Sequence, residues 1–362
     1  MANYSFSALL APPALMRLGI IGVVLLAVAS AFAWTAGWFA SSRLDPTRLI
    51  DTMEAVNGVH PGFRRNHAKG VCFTGWFDSN GNGKRVSTAR IFEAGRVPVF
   101  GRFALAGGMP AIPDGPEAVR SMAVNFTLPN GEVWRTGIND IPVFPVKDAE
   151  GFRDQLLAVR PGADGKPDAA RVAAFFSAHP ESARAISFIK GVPFSSGFAN
   201  ATSNRLVTFR AVDADGKSTP LRWSMRANDA FEREPAETPK DKNYLFDALA
   251  ARIAKAPAQW TLMLALGQSG DPTNDATLPW PADRPTIDAG TLSVMALQTE
   301  AAGNCRDVNF DPLVLPSGIE PSDDPLLSAR SAAYSVSFTR RAGEPKTPSA
   351  VQVGPTPTDK GR

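Results

Sequence analysis

Cysteine, histidine and tyrosine are all scarce in this chain, and each scarcity removes a class of chemistry. Only two cysteines, Cys72 and Cys305, occur in 362 residues. They form no CxxC pair and no cluster with histidine, so zinc–thiolate and iron–sulfur centres lack ligands. Whether the two pair with each other stays open from sequence. There are three histidines (His60, His67, His179) and three tyrosines (Tyr4, Tyr244, Tyr334), which leaves few candidates for any role that needs an imidazole or a phenol. An excess of charge is lacking too, since 38 basic and 35 acidic residues leave a net charge of +3. No basic block with interleaved aromatics is present to follow a phosphate backbone, so nucleic acid is not an expected partner.

What the chain does have is apolar content, 44% of residues, which is enough for a globular fold with a buried core. Part of it is concentrated near the N-terminus. From Leu18 to Ser42 there is no charged residue, with Arg17 before the run and Arg43 and Asp45 closing it. A bilayer's hydrocarbon core takes about 20 apolar residues, so the stretch is long enough to span. The small-residue triplets Ala29-Ser30-Ala31 and Ala31-Phe32-Ala33 also suit a cleaved signal peptide, but the run exceeds the roughly 7–15 apolar residues usual for one. Residues 1–43 are therefore read as a retained anchor, with a cleaved signal and a secreted product as the alternative. Both readings place the rest of the chain in an extracytoplasmic, periplasmic space, and the first tethers it to the inner membrane.

Beyond the anchor, Pro46–Val56 reads as a short helix. Apolar runs bounded by turn residues come next at Val71–Phe77, Ala89–Phe92, Val97–Ala104, Ser121–Leu128, Val133–Gly137, Arg184–Ile189, Arg205–Val212, Pro220–Met225 and Trp260–Leu266. Ser79-Asn80-Gly81-Asn82-Gly83, Pro129-Asn130-Gly131 and Asp213-Ala214-Asp215-Gly216 carry hairpin chemistry. So many short strands point to a closed antiparallel barrel or a sandwich. Helical patterns interrupt them at Ala149–Val159, Asp168–Ala178 and Asn243–Ala254, the last with Leu245, Leu249 and Ile253 on one face. The class is α+β. Residues 44–342 are expected to form the folded domain and residues 343–362, rich in Pro, Thr, Lys and Gly, a disordered tail.

Two segments carry candidate chemistry. Arg64-Arg65-Asn66-His67-Ala68-Lys69-Gly70 lies between the first helix and the first strand, and on its own fits a solvated loop as well as a catalytic histidine. Near the other end, Arg330 and Tyr334 lie one turn apart if the segment is helical. A cation next to a phenol favours the phenolate, and a phenolate is a good anionic ligand for ferric haem. A surface Arg–Tyr pair is the plain alternative.

Taken in order, these pieces resemble the haem catalases over about Asn57–Arg341. Arg64-x-x-His67-Ala68-Lys69-Gly70 is similar to the family's distal-histidine motif, and Val97-Pro98-Val99-Phe100-Gly101-Arg102-Phe103 to the strand after it. Ala123-Val124-Asn125-Phe126, the Asn-Gly turn and Asn139-Asp140-Ile141-Pro142-Val143-Phe144 resemble the segment bearing the distal asparagine. Asn309-Phe310-Asp311-Pro312 and Pro316-Ser317-Gly318-Ile319-Glu320-Pro321-Ser322 resemble the lead-in to the proximal tyrosine.

The resemblance implies an antiparallel catalase-type β-barrel with flanking helices, lacking the C-terminal helical domain of the larger enzymes, and a haem b whose iron is ligated by Tyr334. Arg330 would donate to the phenolate, and Arg64, Arg102 and Arg341 would meet the propionates, with Arg340 competing for the last role. Phe152 would pack on the haem, or serve as plain core. His67 would move the peroxide's proton and Asn139 would donate a hydrogen bond to it. Tyr244 and His179 read as structural.

The chain also departs from the pattern. Ala104 stands where the family carries a hydroxyl supporting the distal histidine, which leaves the ring less firmly held, and no Pro-Asp-Thr-His run comes after Tyr334. A shortened shell implies an open pocket and peroxidase chemistry, with H2O2 or an organic hydroperoxide as oxidant and a small organic electron donor, as in the shortened catalase-related peroxidases. True catalase activity, hydroperoxide rearrangement and a non-catalytic haem- or lipid-binding barrel are the alternatives. Donor and oligomeric state are not legible.

Overall fold

A computed structural model describes residues 12–35, 44–235, 237, 239, 241–301 and 303–354. Two units divide it, Met1–Asp45 and Pro46–Arg362. In the first, α1 (Pro12–Thr35) contains a 20-residue stretch, Met16–Thr35, with a mean hydropathy of 2.2. At about 1.5 Å per residue it is long enough for a hydrocarbon core about 30 Å thick. Residues 36–43, which complete the uncharged run, lie outside the described residues.

The second unit is built on a closed barrel. Its strands are β1 (Gly70–Ser79), β2 (Gly95–Leu105), β3 (Arg120–Thr127), β4 (Val133–Asn139), β5 (Ser203–Asn204), β6 (Phe209–Val212), β7 (Ser218–Ala227), β8 (Ala258–Leu266), β9 (Thr286–Gln298) and β10 (Ile319–Pro321). Eight of them run antiparallel in the order β7-β5-β4-β3-β2-β1-β9-β8, and pairing of β8 with β7 closes the ring. β6 and β10 extend the sheet outside it. Closure satisfies backbone groups that an open edge would leave unpaired. Side chains alternate across each strand, and the inward set is bulky and aromatic. Trp134 stacks on Phe126 with ring centroids 4.8 Å apart and meets Trp223 at 5.2 Å, while Phe103 meets Trp260 at 5.6 Å.

Helices α2 (Pro46–Asn57), α3 (Ala149–Val159), α4 (Ala169–Ala178), α5 (Pro180–Lys190), α6 (Tyr244–Lys255) and α7 (Pro325–Ala342) flank the barrel. α2 packs on both α3 and α7. The start of α7 is set by Asp324, whose carboxylate accepts from the Leu326 amide at 2.9 Å, with Pro325 in the first helical position. That cap fixes the phase at which Arg330 and Tyr334 emerge.

The α+β barrel agrees with the sequence reading, but three local expectations fail. Arg184–Ile189 is not a strand; it lies in α5, which opens with Pro180 and Glu181, both helix-start residues. Ala89–Phe92 is a 3-10 turn whose Ile91 and Phe92 plug the core. Residues 343–354 are not a disordered tail. Glu344 pairs with Arg65, Thr347 donates to the Pro61 carbonyl at 2.8 Å, and Val351 is fully buried. These contacts replace the apolar periodicity that the segment lacks. Residues 355–362 lie outside the described residues.

Candidate active site

One cavity gathers all eight residues singled out from sequence: Arg64, His67, Arg102, Asn139, Phe152, Arg330, Tyr334 and Arg341. They arrive from five places in the fold. Arg64 and His67 stand on the loop between α2 and β1, Arg102 on β2, Asn139 at the end of β4, Phe152 on α3, and the last three on α7. α2 adds Leu49, Ile50 and Met53 as an apolar wall. Phe152 lies near-parallel to Phe144 with centroids 6.2 Å apart, and both line the cavity.

His67 has φ 56°, the one positive φ outside glycine among the described residues. Such a conformation costs about 1–3 kcal/mol and persists only where the surroundings enforce it. Here Asn66 does so: its side-chain oxygen accepts from the His67 amide at 2.9 Å and from the Gly107 amide at 2.8 Å. Gly70 serves the same corner, because a Cβ there would lie 2.5 Å from Arg102 Nη2. The imidazole lines the cavity. Burial, then the charges of Arg102, Arg330 and Arg64, lower its pKa from 6.5 to about 3. The ring is neutral at working pH.

Its support corrects the expectation drawn from Ala104. Ser121 on β3 is the direct cross-strand partner of Ala104 on one side and of Asn139 on the other. Its Oγ lies 3.1 Å from His67 Nδ1 and donates to Asn139 Oδ1. A hydroxyl has one proton, and an amide oxygen can only accept. With the Ser121 proton given to Asn139, His67 Nδ1 must supply its own proton to Ser121. The ring's lone pair therefore sits on Nε2, and Asn139 keeps Nδ2 as a donor. The hydroxyl that Ala104 lacks is thus present one strand over. Ser121→Ala is expected to slow the reaction with peroxide about tenfold, the worth of one buried hydrogen bond, and Ser121→Thr to recover most of it. Stopped-flow rates for the three proteins check this, and an unaltered rate in the alanine variant would remove Ser121 from the site.

The other pole is Tyr334. Arg330 Nη2 donates to its phenol oxygen at 2.9 Å. Burial pushes the phenol pKa up, but the Arg330 charge and hydrogen bond, with Arg205 and Arg64, outweigh it and the pKa is lowered. Arg205 was not legible from sequence. It is buried beneath the site, with Nη1 on the Gly137 carbonyl at 2.7 Å and its guanidinium over the Phe209 ring. No local signal marks it, since it sits in a run that reads as ordinary strand.

Five arginines line the cavity; besides Arg330 on the phenol and Arg65, which pairs with Glu54 and Glu344, these are Arg64, Arg102 and Arg341. Arg64 donates to the carbonyls of Arg306, Cys305 and Val308 at 3.0, 3.0 and 2.7 Å. Arg102 pairs with the buried Glu300. Arg341 is 3% exposed and lines the cavity, whereas Arg340 is not in its lining and pairs with Asp51 and Glu54. Burial, then Arg102, lowers the pKa of both Arg64 and Arg341, the latter to about 10. Of Arg64, Arg102 and Arg341, only Arg102 has a carboxylate in direct contact, Glu300, so positive charge is in excess in a buried place, and an anionic ligand is the natural remedy. His179 and Tyr244 lie elsewhere. His179 pairs with Asp154 and Glu181, and Tyr244 donates to Glu234 at 2.7 Å.

The sequence of residues 30–349 matches the family model described as Catalase. The chain belongs to the catalase family. Among curated relatives, it is 34% identical to a catalase-related peroxidase of Synechococcus elongatus, over 87% of this chain and 93% of that one. It is 32% identical to a catalase-related peroxidase of Mycolicibacterium paratuberculosis, over 84% and 96%. Rat catalase is 28% identical over 76% of this chain, which spans 56% of that enzyme. Of solved structures, a fungal catalase superposes with a TM-score of 0.69 at 19% identity, covering 86% of this chain and 68% of the other. A bacterial catalase gives 0.68 at 22%, covering 86% and 64%; at these identities the likeness is one of fold. This catalase-family chain is an oxidoreductase of the haem peroxidase or catalase type.

Membership implies a haem cofactor, and the cavity's own chemistry fits one. Its walls are apolar, with Ile50, Phe144, Phe152 and Phe310 among them. Its excess of guanidinium charge suits a ligand's carboxylates, and a phenol disposed to ionise offers an anionic ligand.

Proposed function

We propose that this protein is a haem b peroxidase that reduces organic hydroperoxides or H2O2 at the expense of a small organic electron donor. Tyr334 would ligate the iron in this reading, with Arg330 holding its oxygen, and Arg64, Arg102 and Arg341 would take the propionates. Bound there, the haem supplies the two-electron reduction of the peroxide O–O bond. The protein's part is proton movement and positioning. His67 Nε2, neutral and fixed by Ser121, accepts the proton of the incoming hydroperoxide and returns it to the departing oxygen. Asn139 Nδ2 donates to the peroxide where negative charge develops.

The observation that carries the reading is the pairing of two poles in one cavity: a phenol held for ionisation by Arg330 and an imidazole held neutral by burial among cations. The likeness to two catalase-related peroxidases along nearly their whole length favours peroxidase over catalase turnover. The purified protein is expected to show a Soret band and hydroperoxide-dependent oxidation of an aromatic donor. A missing Soret band refutes the reading. Oxygen evolution from H2O2 as the main reaction makes the protein a catalase instead, and hydroperoxide loss without donor oxidation makes it a rearrangement enzyme.

The setting belongs to the same proposal: a periplasmic domain tethered to the inner membrane by residues 1–43. The length and hydropathy of α1 support it, as does the Cys72–Cys305 disulfide, since such bonds persist in oxidising compartments. The native protein is expected to stay with membranes through carbonate washing and to retain its N-terminus. A soluble product beginning near Trp34 would mean a cleaved signal.

A further inference from the structure

The anion-binding side of the cavity depends on one short segment. Cys305–Asp307 form a 3-10 turn, capped by Asn304, whose side chain accepts from the Arg306 amide. The carbonyls of Cys305, Arg306 and Val308 take the hydrogen bonds of Arg64. Just upstream, Glu300 takes those of Arg102. Arg64 is thus oriented by carbonyls within 300–308, and Arg102 by Glu300 of the same segment together with the Ala68 carbonyl at 3.2 Å. This segment has no strand pairing of its own, since β9 ends at Gln298 and β10 begins at Ile319. Its other polar ties run to parts outside the barrel: Arg306 to the Gly62 carbonyl, Lys346 to Asp307.

The covalent join between the segment and the barrel wall is the disulfide between Cys305 and Cys72, which adds to the Arg102–Glu300 ion pair. Cys72 is on β1, and its direct cross-strand partner on β2 is Arg102 itself. Both half-cystines are buried, and Phe310 packs beside them, with Phe100 and Val308 against the cluster. Phe310 also lies under the Arg64 guanidinium, 5.7 Å from ring centroid to Cζ. The cross-link therefore ends within one residue pair of Arg102 at one side and, at the other, on a residue whose carbonyl accepts from Arg64.

We propose that Cys72 and Cys305 are positioning residues for the cofactor's carboxylates: their disulfide holds residues 303–308 against the barrel, so that Arg64 and Arg102 stand ready, and breaking it weakens cofactor retention. The inference rests on the reading of the cavity as a haem site. Reduction by a phosphine would break the S–S bond, leave two thiols, and convert the phosphine and one water to phosphine oxide.

The test compares release of haem and of haem dimethyl ester, whose carboxylates are blocked, to excess apomyoglobin. It uses the parent and a Cys72→Ala/Cys305→Ala double variant. If the double variant does not fold, phosphine-reduced parent, with both thiols confirmed by alkylation and mass spectrometry, replaces it. Haem should leave about tenfold faster without the disulfide, the scale of a charge-assisted hydrogen bond. The ester, which cannot use Arg64 or Arg102, should change by less than about twofold, because the two perturbations act on one interaction. Equal acceleration of both would mean that the disulfide only braces the fold, and no change in either would mean that it does not reach the site. Failure of the parent to bind haem at all would instead overturn the haem reading beneath it.

Discussion

Tyr334→Phe is expected to fold and yet to purify with little haem, roughly a hundredfold weaker in affinity than the parent. Two losses combine. Phenylalanine offers no oxygen to the iron. It also removes the acceptor of Arg330, whose Nη2 donates to the phenol at 2.9 Å, and leaving a buried charge without its partner costs about 3 kcal/mol or more. The phenyl ring itself keeps its place one turn from Arg330 on α7, so folding should survive. Haem content by the pyridine haemochrome method, with the visible spectrum, decides the matter. A variant with the parent's haem content and an unaltered spectrum would show that Tyr334 is not the ligand.

The sequence made these residues visible because their chemistry is concentrated in short runs. Arg64 to Gly70 sits in one loop, Arg330 and Tyr334 in one helical turn, and each run has side chains too costly to place at random in a buried cavity. Barrel strands with turn residues between them, such as Ser121–Leu128 and Val133–Gly137 around Asn130-Gly131, were legible for a similar reason. The hairpin pairs Thr127 with Val133, and Gly131 takes φ 83° in the turn. β9 was missed, although at 13 residues it is the longest strand among the described residues. Asp288 and Gly290 interrupt its apolar alternation. Gly290 is needed there because φ is 138° and a Cβ would lie 2.3 Å from the Asp78 carbonyl oxygen, so what looked like a breaker is a close-approach point between β9 and β1.

What stayed hidden depends on pairing between distant parts of the chain. Ala104 alone suggests a missing hydroxyl; only the β2–β3 register shows that Ser121 faces the same histidine. The disulfide closes a sequence separation of 233 residues, and no local pattern foretells it. Arg205 and Glu300 matter through charge in a buried space, a property that composition does not reveal. The acidic and basic residues of 343–354 looked like a solvated tail for the same reason, until Glu344 and Lys346 met Arg65 and Asp307.

His67→Ala should retain haem, because the proposed iron ligand is on α7 and not on this loop. Its reaction with a hydroperoxide should slow by about 10²–10⁴-fold, the usual contribution of a general acid–base group. The backbone at φ 56° complicates alanine, which tolerates that region poorly, so His67→Asn is the better-matched control: asparagine accepts left-handed φ but has no basic nitrogen. Both variants should be slow, and similar slowness separates lost chemistry from lost geometry. The pH dependence gives a second signature. Burial and the neighbouring guanidiniums hold the parent ring neutral down to about pH 3, so its rate should show no inflection near the ordinary histidine value of 6.5. Stability has the matching sign. The unfolded ring takes up a proton near pH 6.5 while the folded one does not until about 3, so acid lowers the parent's stability across that window, and both variants should lose this part of the dependence. Stopped-flow mixing at several pH values measures the rates directly. A His67→Asn rate within a few-fold of the parent would show that His67 Nε2 is not the group that moves the proton, whereas an acid limb in the parent centred near 6.5 would show that burial does not hold the ring neutral.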